Sequence, residues 1–188
     1  MQGDDELLWY FAYGSNLDPG TFLGRRRMRP SESCTAILRG YRLVFDLPIG
    51  DGERGCANVV AAPDALIHGV AYRLTAAEAR RLDATEGVPR AYQRLDVELE
   101  RSGGETLAAF TYLSSFRRGD CKPSERYLNL LLAGARHHGL PQEWIDWLRG
   151  LELAVDERST QLELFAARAA AESREVTSSA TRLLNISG

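Results

Sequence analysis

The spacing of apolar residues divides the chain into a strand-rich part, up to about residue 115, and a helix-rich part after it. Residues 7–13, Leu-Leu-Trp-Tyr-Phe-Ala-Tyr, are apolar and aromatic without helical spacing, which predicts a buried strand. Further strands are predicted at residues 34–47, 56–62, 67–74, 92–100 and 106–114. Gly40 interrupts the first of these runs, so we expect two short strands or one bent strand with a bulge.

Turn residues separate the predicted strands. Pro63-Asp64 predicts a turn between 56–62 and 67–74, and Ser102-Gly103-Gly104 predicts a hairpin between the last two strands. The first strand ends at Gly14-Ser15-Asn16. Asp18-Pro19 then predicts a short helix, with Asp18 as the N-cap and Pro19 at the first helical position.

Capping residues and apolar spacing predict the helices. Thr75 and Glu78 form the pattern of a capping box, which predicts a helix that ends near Glu86-Gly87. Further helices are predicted at about 124–138, 141–151 and 157–172. The last dozen residues are small and polar, and we expect them to be mobile.

Strands followed by helices are typical of an α+β protein. We expect a small mixed, mostly antiparallel β-barrel flanked by helices, with C-terminal helices. The predicted domain covers residues 1–155, and residues 156–188 form a C-terminal helical extension with a mobile tail. The extension packs on the barrel or on a second subunit of a homodimer. Trp144 and Trp147 are accordingly either core or interface residues.

Composition excludes several classes of function. The 188 residues carry a formal net charge of −3 and have a pI of about 5.7, which argues against extensive nucleic-acid binding. No apolar run approaches the roughly 20 residues that a membrane helix needs. The acidic start, Met-Gln-Gly-Asp-Asp-Glu, is unlike a signal peptide. Cys34, Cys56 and Cys121 lack metal or redox spacing, so we expect no metal site and free thiols in a cytoplasmic protein.

Arginine supplies nearly all of the positive charge, because Lys122 is the single lysine among 23 basic residues. Together with frequent alanine, this indicates a coding bias typical of a high-GC bacterium. One tight cluster comprises Arg25, Arg26, Arg27 and Arg29. It is either a solvated helix end or a site for an anion.

The junction at residues 14–17 is the first candidate for chemistry. Backbone N–H groups at the start of a helix attract anions, and Gly14 would let the backbone approach a ligand beside Tyr13. A carboxylate or phosphate would suit this place. The alternative is a turn that contains Gly-Ser-Asn for steric reasons alone.

Glu86 and the tyrosines are the other candidates. Burial and the dipole at a helix C-terminus would both raise the pKa of the Glu86 carboxyl, which suits a general acid or base. An exposed loop glutamate is the alternative. Most tyrosines are core residues, but a few hydroxyls that meet in one cavity would form a binding site. The tyrosines considered are Tyr13, Tyr72, Tyr92, Tyr112 and Tyr127.

The 14–17 junction, Glu86 and the tyrosines, taken in their order along the chain, resemble the γ-glutamylcyclotransferase family (the γ-glutamylcyclotransferase-like or AIG2-like fold). The resemblance runs from about residue 9 to residue 152, and the tail has no counterpart. The segments that carry it are Tyr10-Phe11-Ala12-Tyr13-Gly14-Ser15-Asn16-Leu17, Leu82-Asp83-Ala84-Thr85-Glu86-Gly87-Val88, Ala109-Phe110-Thr111-Tyr112-Leu113, Pro123-Ser124-Glu125-Arg126-Tyr127 and Gly134-Ala135-Arg136-His137-His138-Gly139-Leu140-Pro141.

The resemblance implies a γ-glutamyl-amide cyclotransferase that uses no cofactor or metal. Such an enzyme releases 5-oxoproline and a free amine or amino acid, because the α-amino group of the substrate attacks its own γ-carbonyl. Glu86 would be the catalytic general acid and base. The implied substrate-binding residues are Tyr13, Gly14, Ser15, Asn16, Leu17, Tyr92, Tyr112 and Tyr127.

Two other classes of function are weighed against this one. A non-catalytic small-molecule-binding or regulatory module would keep the cavity, but it would not need a carboxylate at Glu86. A thiol hydrolase would need an activated cysteine, and no cysteine lies at a predicted strand-to-helix elbow.

Overall fold

Five strands form one closed barrel in the computed structural model, which describes residues 4–101 and 103–155. The strands are β1 Leu7–Ala12, β2 Glu32–Pro48, β3 Gly55–Thr75, β4 Gln93–Arg101 and β5 Thr106–Leu113. Their order around the barrel is β1-β3-β2-β4-β5. β1 and β5 are parallel, and the other neighbouring pairs are antiparallel. The prediction of a mixed, mostly antiparallel barrel in an α+β fold is confirmed.

The helices lie between and after the strands. They are α1 Ala76–Glu86, α2 Glu125–His137 and α3 Gln142–Arg149. Thr75 and Glu78 form the expected capping box at the start of α1. The Ser124 side chain caps α2 by accepting a hydrogen bond from the Tyr127 N–H. None of the helices among the described residues is long and apolar enough to cross a membrane.

The helix predicted after Asp18-Pro19 has a different form. A 3-10 turn, Ser15–Leu17, is followed by a π-helical segment, Gly20–Arg25, which begins one residue later than expected. Asp18 still caps this segment, because its Oδ2 accepts a hydrogen bond from the Thr21 N–H at 2.7 Å. A 3-10 turn and a π-helical segment in succession therefore replace a regular short helix.

The prediction of two strands around Pro63-Asp64 is wrong, because β3 is continuous from Gly55 to Thr75. Tyr41 pairs with Ala61 and Arg39 pairs with Leu66, so residues 62–65 bulge out opposite Gly40. Pro63 has no N–H to donate to a ladder, and this unpaired bulge accommodates it. The bulge expected at Gly40, where φ is +78°, is confirmed and lies within a single strand, β2.

The core fills the barrel and the space beneath α2 and α3. Its largest fully buried side chains include Phe11, Leu38, Ile67, Leu74, Leu99, Leu131 and Leu148. Trp144 packs against this core. The Trp147 ring stacks on the Trp144 ring with a centroid distance of 4.7 Å, and Trp147 is 43% exposed. Trp144 therefore packs as a core residue, whereas Trp147 is exposed, and an interface at Trp147 stays a prediction.

The first compact unit of the chain is Met1–Ala154. The helix predicted at residues 157–172 and the tail lie outside the described residues. The proposed boundary between residues 155 and 156 stays a prediction.

Candidate active site

The predicted site residues meet at one end of the barrel. The parallel strands β1 and β5 end there, β3 and β4 begin there, and α1 ends there with Glu86. A cavity of about 90 Å³ lies among them. Its predicted lining residues are Tyr13, Gly14, Ser15, Asn16, Glu86, Tyr92, Tyr112 and Tyr127, and its further lining residues are Tyr10, Arg26, Cys56 and Ala57.

Glu86 is the last residue of α1, and its side chain is only 12% exposed. Its Oε1 accepts a hydrogen bond from Asn16 Nδ2 at 2.9 Å and forms a salt bridge with Arg26 Nη1 at 2.7 Å. Burial raises the pKa of the Glu86 carboxyl, while Arg26 and Asn16 act in the opposite direction. The alternative of an exposed loop glutamate is wrong.

A left-handed glycine fixes where α1 stops. Gly87 adopts φ +70°, a conformation that L residues rarely adopt, and its N–H bonds to the last turn of the helix. The helix therefore ends with Glu86 at the barrel end.

The turn at residues 13–17, called the 13–17 turn below, forms the floor of the cavity. The Leu17 N–H donates to the Gly14 carbonyl at 2.9 Å, so it serves the turn and not a ligand. Leu17 itself is buried and does not line the cavity, unlike the other predicted members of the turn. A Cβ at Gly14 would lie 3.1 Å from the Tyr127 hydroxyl and 3.2 Å from Ala57 Cβ, which explains why glycine stands there.

Asn16 presents one unused acceptor. Its Nδ2 donates to Tyr10 Oη at 2.8 Å and to Glu86 Oε1 at 2.9 Å, so both amide hydrogens are engaged. Its Oδ1 is buried and has no hydrogen-bond partner among the described residues. A buried acceptor without a partner costs about 1–3 kcal/mol, which a ligand N–H would recover.

Three of the tyrosine hydroxyls donate hydrogen bonds to other groups of the protein. Tyr13 donates to the Tyr112 carbonyl at 2.6 Å, Tyr92 to the Ala57 carbonyl at 2.7 Å, and Tyr112 to Asp83 Oδ1 at 2.8 Å. These rings therefore shape the cavity wall and do not offer their protons to a ligand.

Tyr127 differs from these three. Its oxygen accepts a hydrogen bond from the Ala57 N–H at 3.2 Å, and its own proton has no acceptor among the hydrogen bonds of the described chain. Burial raises the pKa of Tyr127, so the hydroxyl stays neutral and can donate. Tyr72 lies outside the cavity, where its hydroxyl contacts His138 Nε2 at 2.9 Å.

The cysteines lack the features of a catalytic nucleophile. All three are free thiols, and Cys56 is the one that lines the cavity. Burial raises the pKa of Cys56 to about 11, so the thiol stays protonated. Its cavity is lined by no histidine. Within residues 4–101 and 103–155, no group of three or more His, Cys, Asp or Glu side chains could hold a metal ion.

Several known proteins resemble this chain in sequence and fold. The family model described as the AIG2-like family matches residues 66–148. A γ-glutamyl cyclotransferase of Aspergillus oryzae is 29% identical over 185 residues, which cover 87% of this chain and 68% of that protein. A γ-glutamylcyclotransferase of Homo sapiens is 29% identical over 157 residues, which cover 79% of this chain and 81% of that protein.

A solved structure of a γ-glutamyl cyclotransferase superposes with a TM-score of 0.72 at 25% identity, covering 81% of this chain and 92% of that one. The chain is similar in sequence and fold to γ-glutamylcyclotransferases and, over residues 66–148, to the AIG2-like family. It is an enzyme of the γ-glutamylcyclotransferase type.

Sequence reasoning missed the role of one residue in this cavity. From the sequence, Arg26 is part either of a solvated helix end or of an anion site. The structure pairs it with Glu86, whereas Arg25, Arg27 and Arg29 are exposed. The cluster of four arginines at residues 25–29 was the available signal in the sequence. Nothing in the local sequence indicates which of these arginines points toward the cavity.

Proposed function

We propose that this chain is a γ-glutamyl-amide cyclotransferase, which releases 5-oxoproline and a free amine or amino acid. The observation that carries the proposal is the placement of Glu86. It is a buried carboxylate at the end of α1, within hydrogen-bond distance of the 13–17 turn, in a cavity walled by tyrosines. The similarity to γ-glutamylcyclotransferases supports the same reaction.

The reaction needs a base and then an acid. The substrate's α-amino group is mostly protonated at neutral pH, since the pKa of such groups lies near 8. The α-ammonium group would first lose one proton to solvent. Glu86 would then take a second proton from the neutral nitrogen while it attacks the γ-carbonyl and forms the lactam C–N bond. When the amide C–N bond breaks, Glu86 would return the proton to the departing amine. The departing amine takes up one proton from solvent, which replaces the first proton lost, so the balance closes with this single carboxyl group.

The cavity would supply most of the remaining rate enhancement through positioning. The attack is intramolecular, so the chief requirement is that the glutamyl chain be held folded with its amine near its own carbonyl. Rings fixed by their own hydrogen bonds, such as Tyr13 and Tyr92, suit a rigid wall of this kind.

The 13–17 turn would hold the two charged groups on the α-carbon of the glutamyl group. The backbone N–H groups of residues 14–16 would bind the α-carboxylate, as a helix-start turn binds anions. The unused Asn16 Oδ1 would accept a hydrogen bond from the α-amino group, and it shares a side chain with the Nδ2 that holds Glu86. The Tyr127 hydroxyl would donate to the carbonyl oxygen as charge develops there.

Replacing Asn16 by alanine tests this part of the proposal. We expect kcat/KM to fall by roughly 10²-fold or more, because the change removes both a hydrogen bond to Glu86 and the acceptor for the substrate amine. Steady-state kinetics would measure the loss, and circular dichroism would check that the barrel remains folded. An unchanged kcat/KM would exclude Asn16 from the site.

A substrate panel tests the function as a whole. The pure chain would be incubated with γ-glutamyl amino acids, γ-glutamylamines, ε-(γ-glutamyl)-lysine and glutathione, and 5-oxoproline would be measured. Release from at least one γ-glutamyl amide is expected, and the best substrate would identify the amine half. Binding of 5-oxoproline or glutamate without any turnover would favour the non-catalytic module instead.

Three further expectations stay predictions. They are a cytoplasmic location, a bacterial origin and assembly into a homodimer.

A further inference from the structure

Arg26 enters the proposed active site from outside the family's signature segments. Its Nη1 lies 2.7 Å from Glu86 Oε1 and 2.5 Å from Thr85 Oγ1. The side chain is 17% exposed, and it lines the same cavity as Glu86. A long cation largely removed from water loses hydration and rotamer freedom, so its placement beside a buried carboxylate calls for an explanation.

The backbone around Arg26 is held on both sides by buried residues. Phe22 and Met28 are fully buried, and the Met28 N–H donates to the Phe22 carbonyl at 3.1 Å. The Arg26 N–H donates to Thr21 O at 2.9 Å, which ends the π-helical segment. Arg27 then adopts φ +54°, a left-handed conformation that a non-glycine residue rarely takes. These constraints fix the point from which the Arg26 side chain leaves the backbone.

The two oxygens of Glu86 are treated differently. Oε1 receives both the Arg26 guanidinium and the Asn16 amide. No hydrogen bond to Oε2 is found among residues 4–101 and 103–155. An oxygen that already accepts the Asn16 hydrogen bond and lies 2.7 Å from the Arg26 guanidinium is the poorer proton acceptor, so Oε2 is the atom left for the substrate.

Titratable groups face Glu86 from every element packed around it. Apart from Arg26, the groups that line the cavity together with Glu86 are neutral. Asp83, one turn earlier on the same helix, is engaged by Arg94 and by the Tyr112 hydroxyl. Burial raises the pKa of each facing hydroxyl and of the Cys56 thiol. These neutral groups are Tyr10 and Tyr13 at β1, Cys56 on β3, Tyr92 before β4, Tyr112 on β5 and Tyr127 on α2.

We propose that Arg26 is a positioning residue for the proposed cyclisation: it holds Glu86 by Oε1 and directs Oε2 to the substrate amine. The inference rests on the proposed function. In this arrangement Arg26 touches neither the amine nor the γ-carbonyl. It acts through Glu86, which would otherwise tend to take up a proton in so buried a place.

Variants of Arg26 test the proposal through the pH dependence of kcat/KM. Arg26→Gln removes the charge that lowers the pKa of the Glu86 carboxyl, so the acid limb should move to higher pH and the activity at pH 7 should fall by roughly 10²-fold. Arg26→Lys keeps a charge but not the planar fork, so the acid limb should stay near that of the unchanged chain while kcat partly recovers. A lower activity at every pH with an unmoved acid limb would overturn the proposal.

Arg25→Gln is the matched control. Arg25 is one residue away, exposed, and outside the cavity, and the change in net charge is the same. Its pH profile should coincide with that of the unchanged chain. An equal shift in both variants would mean that the overall charge of the protein, and not the contact between Arg26 and Glu86, determines the pH of the acid limb.

Direct titration of Glu86 separates this inference from the proposed function. Carboxyl-¹³C NMR of glutamate-labelled protein, with the Glu86 signal assigned by its loss in Glu86→Gln, needs no substrate. The Glu86 transition should lie at higher pH in Arg26→Gln than in the unchanged chain, and the Arg25→Gln transition should not move. A coincident transition in all three proteins would refute the role of Arg26 even if 5-oxoproline is released. A shifted transition without any 5-oxoproline release would refute the proposed reaction and retain the Arg26–Glu86 coupling.

Discussion

Glu86→Gln is expected to lower the rate of 5-oxoproline release by roughly 10²–10⁴-fold, the usual contribution of a general acid–base group. Glutamine keeps the shape of the side chain and can still accept a hydrogen bond from Asn16, but it cannot take a proton from the substrate amine. The loss should appear mainly in kcat, because the groups that bind the glutamyl chain remain in place. Steady-state kinetics on the best γ-glutamyl amide would measure it.

Glu105→Gln is the control for this variant. The Glu105 side chain is 74% exposed and lies ahead of β5, where it pairs with Arg101 at 3.6 Å. Its removal should leave kcat and KM unchanged, since an exposed ion pair contributes little. Activity in Glu86→Gln close to that of the Glu105→Gln control would mean that another group transfers the proton.

Gly134→Ala is expected to have the second largest effect. Gly134 lies on α2 against the 13–17 turn, and a Cβ there would lie 2.3 Å from the Leu17 carbonyl carbon and 2.5 Å from the Leu17 oxygen. These are backbone atoms, so the turn or the helix must move. We expect a loss of about 1–3 kcal/mol of stability, despite the higher helix propensity of alanine. Displacement of Asn16 with the turn should also lower kcat/KM by more than tenfold.

Gly119→Ala is the matched control for the helix variant. Gly119 lies in the loop before α2, and a Cβ there would meet no atom within 4 Å. Its thermal unfolding midpoint and kinetics should stay those of the unchanged chain. Calorimetry on both variants would measure the difference, and equal midpoints would contradict the close packing of α2 on the 13–17 turn.

Local chemistry explains why much of the fold can be predicted from the sequence. The capping box of Thr75 and Glu78 is a contact over three residues, and the bulge at Gly40 follows from one residue with a positive φ. The β4–β5 hairpin likewise joins neighbours in sequence. The continuity of β3 escaped prediction because Pro63 is tolerated only through the bulge opposite Gly40, and that bulge depends on pairing with another strand.

The candidate site was accessible to sequence reasoning only in part. The turn at Gly14-Ser15-Asn16 and the carboxylate of Glu86 stand out in the sequence, yet 70 residues separate Asn16 from Glu86 and only barrel closure joins them. Arg26 could not be singled out, because its inward direction depends on the π-helical segment and on two buried anchors, Phe22 and Met28. The hydrogen bonds donated by the tyrosine hydroxyls depend in the same way on contacts between residues distant in sequence.

The most direct test of the central claim follows the atoms of the reaction. A γ-glutamyl amide labelled with ¹⁵N at its α-amino group would be incubated with the protein in H₂¹⁸O, and the masses of the products would be measured by mass spectrometry. Intramolecular attack predicts 5-oxoproline that retains the ¹⁵N and contains no ¹⁸O, together with the free amine. Glutamate that contains one ¹⁸O would show hydrolysis by water and would contradict the cyclisation.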